Sequence, residues 1–249
     1  MLISDLHAIL NSTMTEDKYP MRINKYLAHQ KLTTRREADT LIAKGLVLVN
    51  KKRAVLGQMV DQKDKVEIKG QKNKHYIYLA YFKPRGILTD QSNSEDKTIL
   101  DTLPQKNIFP IGRLDKDSEG LIILTNDGRI TDPLLNPDKT HDKEYLVTTN
   151  EKTKPSLKTK LEKGVDIEGY LTRPCQVKIV DENNFKLIIT EGKKHQIRRM
   201  AGALGYTIKR LKRVRILNIK IKDLKPGEYR KIEGPELDKF LSSLEVNQK

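Results

Sequence analysis

Residues 111–128 read IGRLDKDSEGLIILTNDG, acidic side chains crowding the approach to an apolar run in a chain of net charge +15. A carboxylate so placed either closes a turn or does chemistry. Asp115 follows Gly112-Arg113-Leu114 and precedes a strand-like run from Leu121, and loops mounted on sheets are where reactive side chains concentrate. Asp117, two residues on, falls on the same side of an extended segment. Two carboxylates suggest glycoside hydrolysis, but that chemistry sets its pair at least about 5 Å apart across the scissile bond, with one acid kept protonated. The neighbouring sequence offers no apolar pocket that would do so. An Asp beside Gly and Ser is commonly an Asx-turn or a cap, so the residues alone leave Asp115 between a turn former and a reactive carboxylate.

The charge balance narrows the partner. Lys and Arg number 48 against 33 Asp and Glu, an excess that suits a polyanion, and nucleic acid leads over membrane. No run of 18 or more apolar residues is present to span a bilayer. The opening MLISDLHAILNSTMTEDKYP carries acids and no early basic region, unlike a secretory signal, and a cytoplasmic location is expected. A single cysteine, Cys175, excludes an internal disulfide framework and a Cys-based zinc site, and the five His residues show no HExxH spacing. There is no phosphate loop of the G-x-x-x-x-G-K-[ST] type. No metal and no cofactor are expected.

The elements that must position the acidic stretch follow from periodicity. With 249 residues the chain has room for two unequal domains. Residues 1–20 read as a poorly ordered leader. From Arg22, apolar residues Ile23, Tyr26 and Leu27 recur at helical spacing, and TRREADTLIAKG forms a second helix with a Thr34/Glu37 capping box and a Gly45 stop. Strands are expected at 46–49 and 66–68, closing a unit over 21–70, and KGQKNKH at 69–75 has the composition of a linker. Over 76–249 the strand candidates are YIYLAYF, 121–125, 145–148, 177–180, 185–190 and 214–221, with helices at 155–163, 195–204 and 235–244. Strands outnumber helices and Asp181-Glu182-Asn183-Asn184 marks a hairpin, so the fold class is α+β with a mainly antiparallel mixed sheet and flanking helices.

RINKYLAHQKLTTRREADTLIAKGLVLVNKKRA, most specifically T-R-R-E-A-D followed by G-x-V-x-V-N, resembles the αL (S4-like) RNA-binding domain. That resemblance implicates Arg35, Arg36 and Lys44 in contact with structured RNA. Gly112, Arg113, Leu114, Asp115, Ser118, Gly120, Leu121, Thr125 and Gly128 follow the signature around the catalytic aspartate of the pseudouridine synthases. The branch is the RsuA/RluB/RluE/RluF group, which modifies ribosomal RNA, and the KDSEGL version is closest to its RluF subgroup, which acts on large-subunit rRNA. KPRG at 83–86 resembles the family's N-K-P-x-G with Phe82 in place of Asn; KEYLV at 143–147 and EGKKHQIRRMAGALGY at 191–206 resemble two further signatures.

The resemblance implies the roles. Asp115 acts on the ribose, as nucleophile at the anomeric carbon or as base at the neighbouring proton; Tyr145 stacks on the uracil; Arg198 pairs with the aspartate and fixes it. Arg113 fills the space that the flipped uridine leaves. The acid-free run from Lys193 to Lys222 holds Lys193, Lys194, Arg199, Lys209, Arg210, Lys212 and Arg213, expected to form a phosphate-contacting face. Structured ribosomal RNA is the expected partner of a cofactor-free monomer. The rival reading is a non-catalytic ribosome-assembly protein with the same surfaces; the same chemistry on small-subunit rRNA or tRNA is another.

Overall fold

The computed structural model describes residues 19–30, 32–69, 75–90, 95–105 and 107–246. The expected leader lies outside them apart from Tyr19 and Pro20, as does most of the expected linker. The described residues fall into two compact units on either side of residues 70–74.

The first unit holds β1 (Met21–Arg22), α1 (Ile23–His29), α2 (Arg35–Ala43), β2 (Val47–Val49), β3 (Lys52–Arg53), β4 (Met59–Val60) and β5 (Val66–Ile68). Thr34 caps α2 as the sequence requires, its hydroxyl accepting from the Glu37 amide at 3.1 Å. β2 pairs antiparallel with β3 and β5, and Ile23, Leu27, Ala38, Ile42 and Val47 form the buried centre. Arg35, Arg36 and Lys44 are all exposed on α2 and its C-terminal end.

The second unit runs β6 (Tyr78–Lys83), β7 (Phe109–Ile111), β8 (Glu119–Thr125), α3 (Thr131–Leu135), β9 (Lys143–Thr149), α4 (Pro155–Glu162), β10 (Gln176–Ile179), β11 (Asn184–Ile189), α5 (Gln196–Ala203), β12 (Ile208–Ile216), β13 (Ile219–Lys220), β14 (Tyr229–Lys231) and α6 (Gly234–Ser243). These strands form one sheet of order β10-β11-β9-β12-β8-β6-β14, with β7 beside β8 and β13 beside β12. Every pairing is antiparallel except β8 with β12.

β6 and β8 read as continuous apolar runs because both their faces are covered. Tyr78, Ala80, Phe82, Leu121 and Ile123 pack toward Phe240 and Leu241 of α6, whereas Leu79, Tyr81, Ile122 and Leu124 pack with Ile99 and Ile108. A second centre joins Tyr145 and Val147 of β9, Phe185 and Leu187 of β11, Leu157 and Leu161 of α4, and Ile197 and Met200 of α5. The end of β8 is fastened by fully buried Asp127, which accepts from Arg129 Nε at 2.8 Å and the Tyr78 hydroxyl at 2.5 Å.

The strand expected at 214–221 differs. It begins at Ile208 and breaks at Leu217, whose φ is +50°. Its first half reads as surface because of its charges, yet Leu211 and Arg213 are buried there and Arg210 meets Glu119 at 2.7 Å once β8 flanks it.

Candidate active site

Asp115 lies in the loop between β7 and β8, and the loop is closed by its main chain. The Ser118 amide donates to the Asp115 carbonyl at 3.0 Å. Thr89 secures the preceding residue, its hydroxyl accepting from the Leu114 amide at 3.1 Å and donating to the Leu114 carbonyl at 2.8 Å. The carboxylate is therefore not spent on an Asx-turn. It stands 38% exposed with His195 Nε2 at 3.4 Å from Oδ1.

Beneath the loop sits Lys83, fully buried at the end of β6. Its ammonium donates to the carbonyls of Ser118 at 2.9 Å, Pro84 at 3.0 Å and Lys116 at 3.4 Å, so it grips the turn from below. Burial pushes its pKa down to about 8, against the pull of Asp115, Glu119 and Asp117. The unfolded chain retains this proton up to the ordinary 10.5. Between about 8 and 10.5 it binds more protons here than the folded chain, so this group's contribution to stability rises with pH. Lys83→Met should remove that rise: the stability difference between wild type and variant, from urea denaturation at several pH values, is expected to shift in favour of wild type across this window. Pseudouridine formation by the variant at neutral pH is expected to fall at least about tenfold, because the three carbonyls lose their donor and the turn its anchor.

A cleft of about 900 Å³ opens over Asp115, lined among others by Arg113, Tyr145, Lys193, Lys194 and His195. Tyr145 is 7% exposed on β9, and the β9–β12 register sets it opposite Arg213. Arg113 is 73% exposed at the loop, 3.8 Å from Asp90. The far wall is organised by buried Glu191, which accepts from the Tyr170 hydroxyl at 2.6 Å, Gln196 Nε2 at 2.6 Å and the Arg173 amide at 3.0 Å. The Lys193 ammonium covers the Tyr170 ring at 4.6 Å. Among the described residues no group of His, Cys, Asp or Glu side chains is placed to hold a metal ion.

Two expectations need correction. Arg198 makes no ion pair with Asp115: its guanidinium donates to the main-chain carbonyls of Asp117 at 3.0 Å and Ile208 at 3.4 Å, and the contact to the Asp115 carboxylate comes instead from His195. Arg213 is not on a phosphate-contacting face. It is 4% exposed, donating through Nε to the Leu121 carbonyl at 2.7 Å and through Nη1 to the Arg113 carbonyl at 3.4 Å. Strand pairing turned this member of the basic run inward.

The remaining basic residues divide. Lys193, Lys194 and Lys209 are exposed; Arg199 is engaged by Glu168 at 2.7 Å and the Ile167 carbonyl at 2.8 Å. Arg210 is paired with Glu119, and the Lys212 ammonium lies 4.7 Å from the centre of the Phe82 ring. Lys83, Lys143, Arg213 and His195 are the site residues whose placement sequence reasoning missed, although three of them stand within the quoted signatures KPRG, KEYLV and EGKKHQIRRM.

The sequence pattern of the RNA pseudouridylate synthase family matches residues 45–203, and that of the S4 domain matches residues 21–66. The chain belongs to the RNA pseudouridylate synthase family. It is thereby an isomerase with an S4 RNA-binding domain at its N-terminal side. The dual-specificity RNA pseudouridine synthase RluF of Escherichia coli strain K12 is 38% identical over 223 residues, covering 87% of this chain and 77% of that protein. Ribosomal large subunit pseudouridine synthase B of Bacillus subtilis strain 168 is 34% identical over 232 residues, covering 88% and 95%. A crystal structure of a pseudouridylate synthase superimposes with a TM-score of 0.65 at 27% identity, over 91% of this chain and 99% of that one. No helix among the described residues is long and apolar enough to cross a membrane.

Proposed function

We propose that this enzyme converts a specific uridine of large-subunit ribosomal RNA to pseudouridine, with residues 21–70 as an S4-like RNA-binding domain and 76–249 as the catalytic domain. The observation that carries the catalytic assignment is the Asp115 carboxylate, met by His195 and presented to the cleft by a turn that does not use it. Converting uridine to pseudouridine breaks the bond from the ribose anomeric carbon to N1, turns the base and rejoins it through C5. Asp115 acts on the sugar, as nucleophile or as base at the neighbouring ribose proton. Tyr145, on the cleft wall, supports the base. Arg198 acts through the loop, by holding the Asp117 carbonyl.

Large-subunit rRNA is favoured by the likeness to the B. subtilis large-subunit enzyme. Exposed Arg35, Arg36, Lys44, Lys193, Lys194 and Lys209 supply RNA contacts, and Arg113 enters the space left by the flipped base. The enzyme works as a cytoplasmic monomer. The test is to map pseudouridines in rRNA from cells with and without the protein; loss of none on removal would defeat the reading, and loss from small-subunit rRNA or tRNA alone would move it to the rival substrate.

Binding is expected to be steeply salt-dependent. If six to eight phosphates are contacted, log K should fall against log salt with a slope of roughly −4 to −7, at about 0.7–0.9 per contact. Filter binding over a salt series measures it, and a slope near zero would remove the electrostatic part of the reading.

A further inference from the structure

The cleft-facing side of the central strands carries two cations without a counter-ion. Lys143 and Tyr145 project from β9 and Arg213 from β12, and all three line the cleft; the register sets Arg213 opposite Tyr145 and Ile216 opposite Lys143. Arg213 is 4% exposed and its Nη2 finds no acceptor among the described residues. Lys143 is half-buried and donates to the His141 carbonyl at 3.3 Å. The acids beside it in sequence are taken by another partner: Asp142 lies 3.7 Å from Arg215, and Glu144 2.8 Å from the same guanidinium. Among the described residues neither Lys143 nor Arg213 has a carboxylate ion-pair partner. Burial and the repulsion of Arg213 together hold the Lys143 pKa below the ordinary lysine value, with Asp142 pulling the other way. Two like charges, one buried and one half-buried, beside one cleft are an unfavourable arrangement that an anion would relieve.

We propose that Lys143 and Arg213 form a cation pair that takes up the negative charge developing on the uracil as it leaves the ribose; this rests on the pseudouridine synthase reading. When the bond between C1′ and N1 breaks, its electron pair leaves with the base. The resulting anion is spread over N1 and the ring carbonyl oxygens, while C1′ gains a bond to an Asp115 oxygen or the ribose loses its neighbouring proton to Asp115. Rejoining through C5 then returns the pair to a new C1′–C5 bond as the bond from C1′ to Asp115 breaks, or as Asp115 gives the ribose its proton back, and the C5 proton passes by way of solvent to N1. In either course the charge exists only while the base is detached. Preorganised cations in a dry site favour that state over bound uridine, and so act on the barrier rather than on binding.

Position distinguishes this from a phosphate site. Arg213 is anchored between Tyr145, which it faces across the sheet, and the Asp115 loop, whose Arg113 carbonyl it holds. A base whose sugar meets Asp115 and whose ring meets Tyr145 lies in that interval. Phosphates are left to the exposed Lys193 and Lys194, which also line the cleft.

The test is Lys143→Met in the full chain, assayed on unmodified large-subunit rRNA transcribed in vitro, with nucleoside analysis for product and filter binding for affinity. Removing one donor to a developing anion lowers kcat by about 10²–10³ elsewhere. The expected result is a kcat lower by about 10², KM and Kd within about threefold of wild type, an unchanged salt slope, and recovery by Lys143→Arg to within about tenfold. A raised KM and Kd with a flatter salt slope and kcat retained would identify a phosphate contact and overturn the proposal. Wild-type values throughout would overturn it also. If the Met variant melts early, Lys143→Gln takes its place under the same criteria. A wild-type protein that binds this RNA but forms no pseudouridine would instead defeat the underlying reading, and the two failures are therefore separable.

Discussion

Asp115→Asn is expected to reduce pseudouridine formation to background while folding and RNA affinity stay near wild type. The turn that carries the residue is made by the Ser118 amide on the Asp115 carbonyl and by Thr89 on Leu114, and both survive the substitution because neither uses the side chain. Asn matches Asp in size and tolerates the same turn geometry. What disappears is the charge, and an amide is neither a competent nucleophile toward the sugar nor a base. The assay is nucleoside analysis of target RNA with equal amounts of each protein, beside thermal melting and filter binding. Retention of even roughly a tenth of the activity, a barrier change of only about 1.4 kcal/mol, would defeat the assignment of chemistry to this carboxylate.

The loop that carries Asp115 was legible in sequence as a turn before a strand, because Gly, Asp and Ser favour one there; the chemistry assigned to its carboxylate came from the long motif, since local rules alone left it undecided. Also legible were the elements with a clean period: the Thr34 cap before α2, the 66–68 strand, the Asp181–Asn184 hairpin and the helix stopped at Gly205. The α+β class followed from the hairpins. Charged strands were harder. β12 reads IKRLKRVRI, and its cations look solvent-facing until Glu119 of β8 and Glu144 of β9 arrive beside them from 91 and 71 residues away. No local pattern encodes those partners. The same long-range pairing buried Arg213, which a count of basic residues had placed on the surface.

The Asp115 contact illustrates a second kind of limit. Gln-Ile-Arg suggests a guanidinium partner, but His195, the residue just before α5, lies in the left-handed region, φ +51° and ψ +26°. That backbone conformation, uncommon outside glycine, brings the imidazole to the aspartate and leaves Arg198 to the carbonyl two residues further along. A motif fixes which residues are near one another more readily than which atoms meet.

Gly120→Ala is expected to be the most destabilising single substitution among the glycines of the signature, at about 2–6 kcal/mol. Gly120 stands at the only parallel pairing of the sheet, where β8 meets β12 and Gly120 is partnered with Arg213. Its φ of +107° is a conformation that L residues rarely adopt, and an added Cβ would lie 2.2 Å from the Arg213 carbonyl oxygen and 2.7 Å from its amide nitrogen. Strained backbone costs on the order of 1–3 kcal/mol, and overpacking a further amount of roughly 1–3 kcal/mol; here the obstacle is main chain, which cannot rotate aside. Gly86→Ala separates the two effects, because Gly86 also has positive φ, +90°, but nothing within 4 Å of the new Cβ. It is expected to lose only the backbone part. Urea denaturation of both variants measures the difference. Equal losses would show that the close approach of β8 to β12 is not what requires glycine. The larger loss at Gly120 should carry activity with it, since Arg213, pushed from Gly120, also holds the Arg113 carbonyl two residues before Asp115.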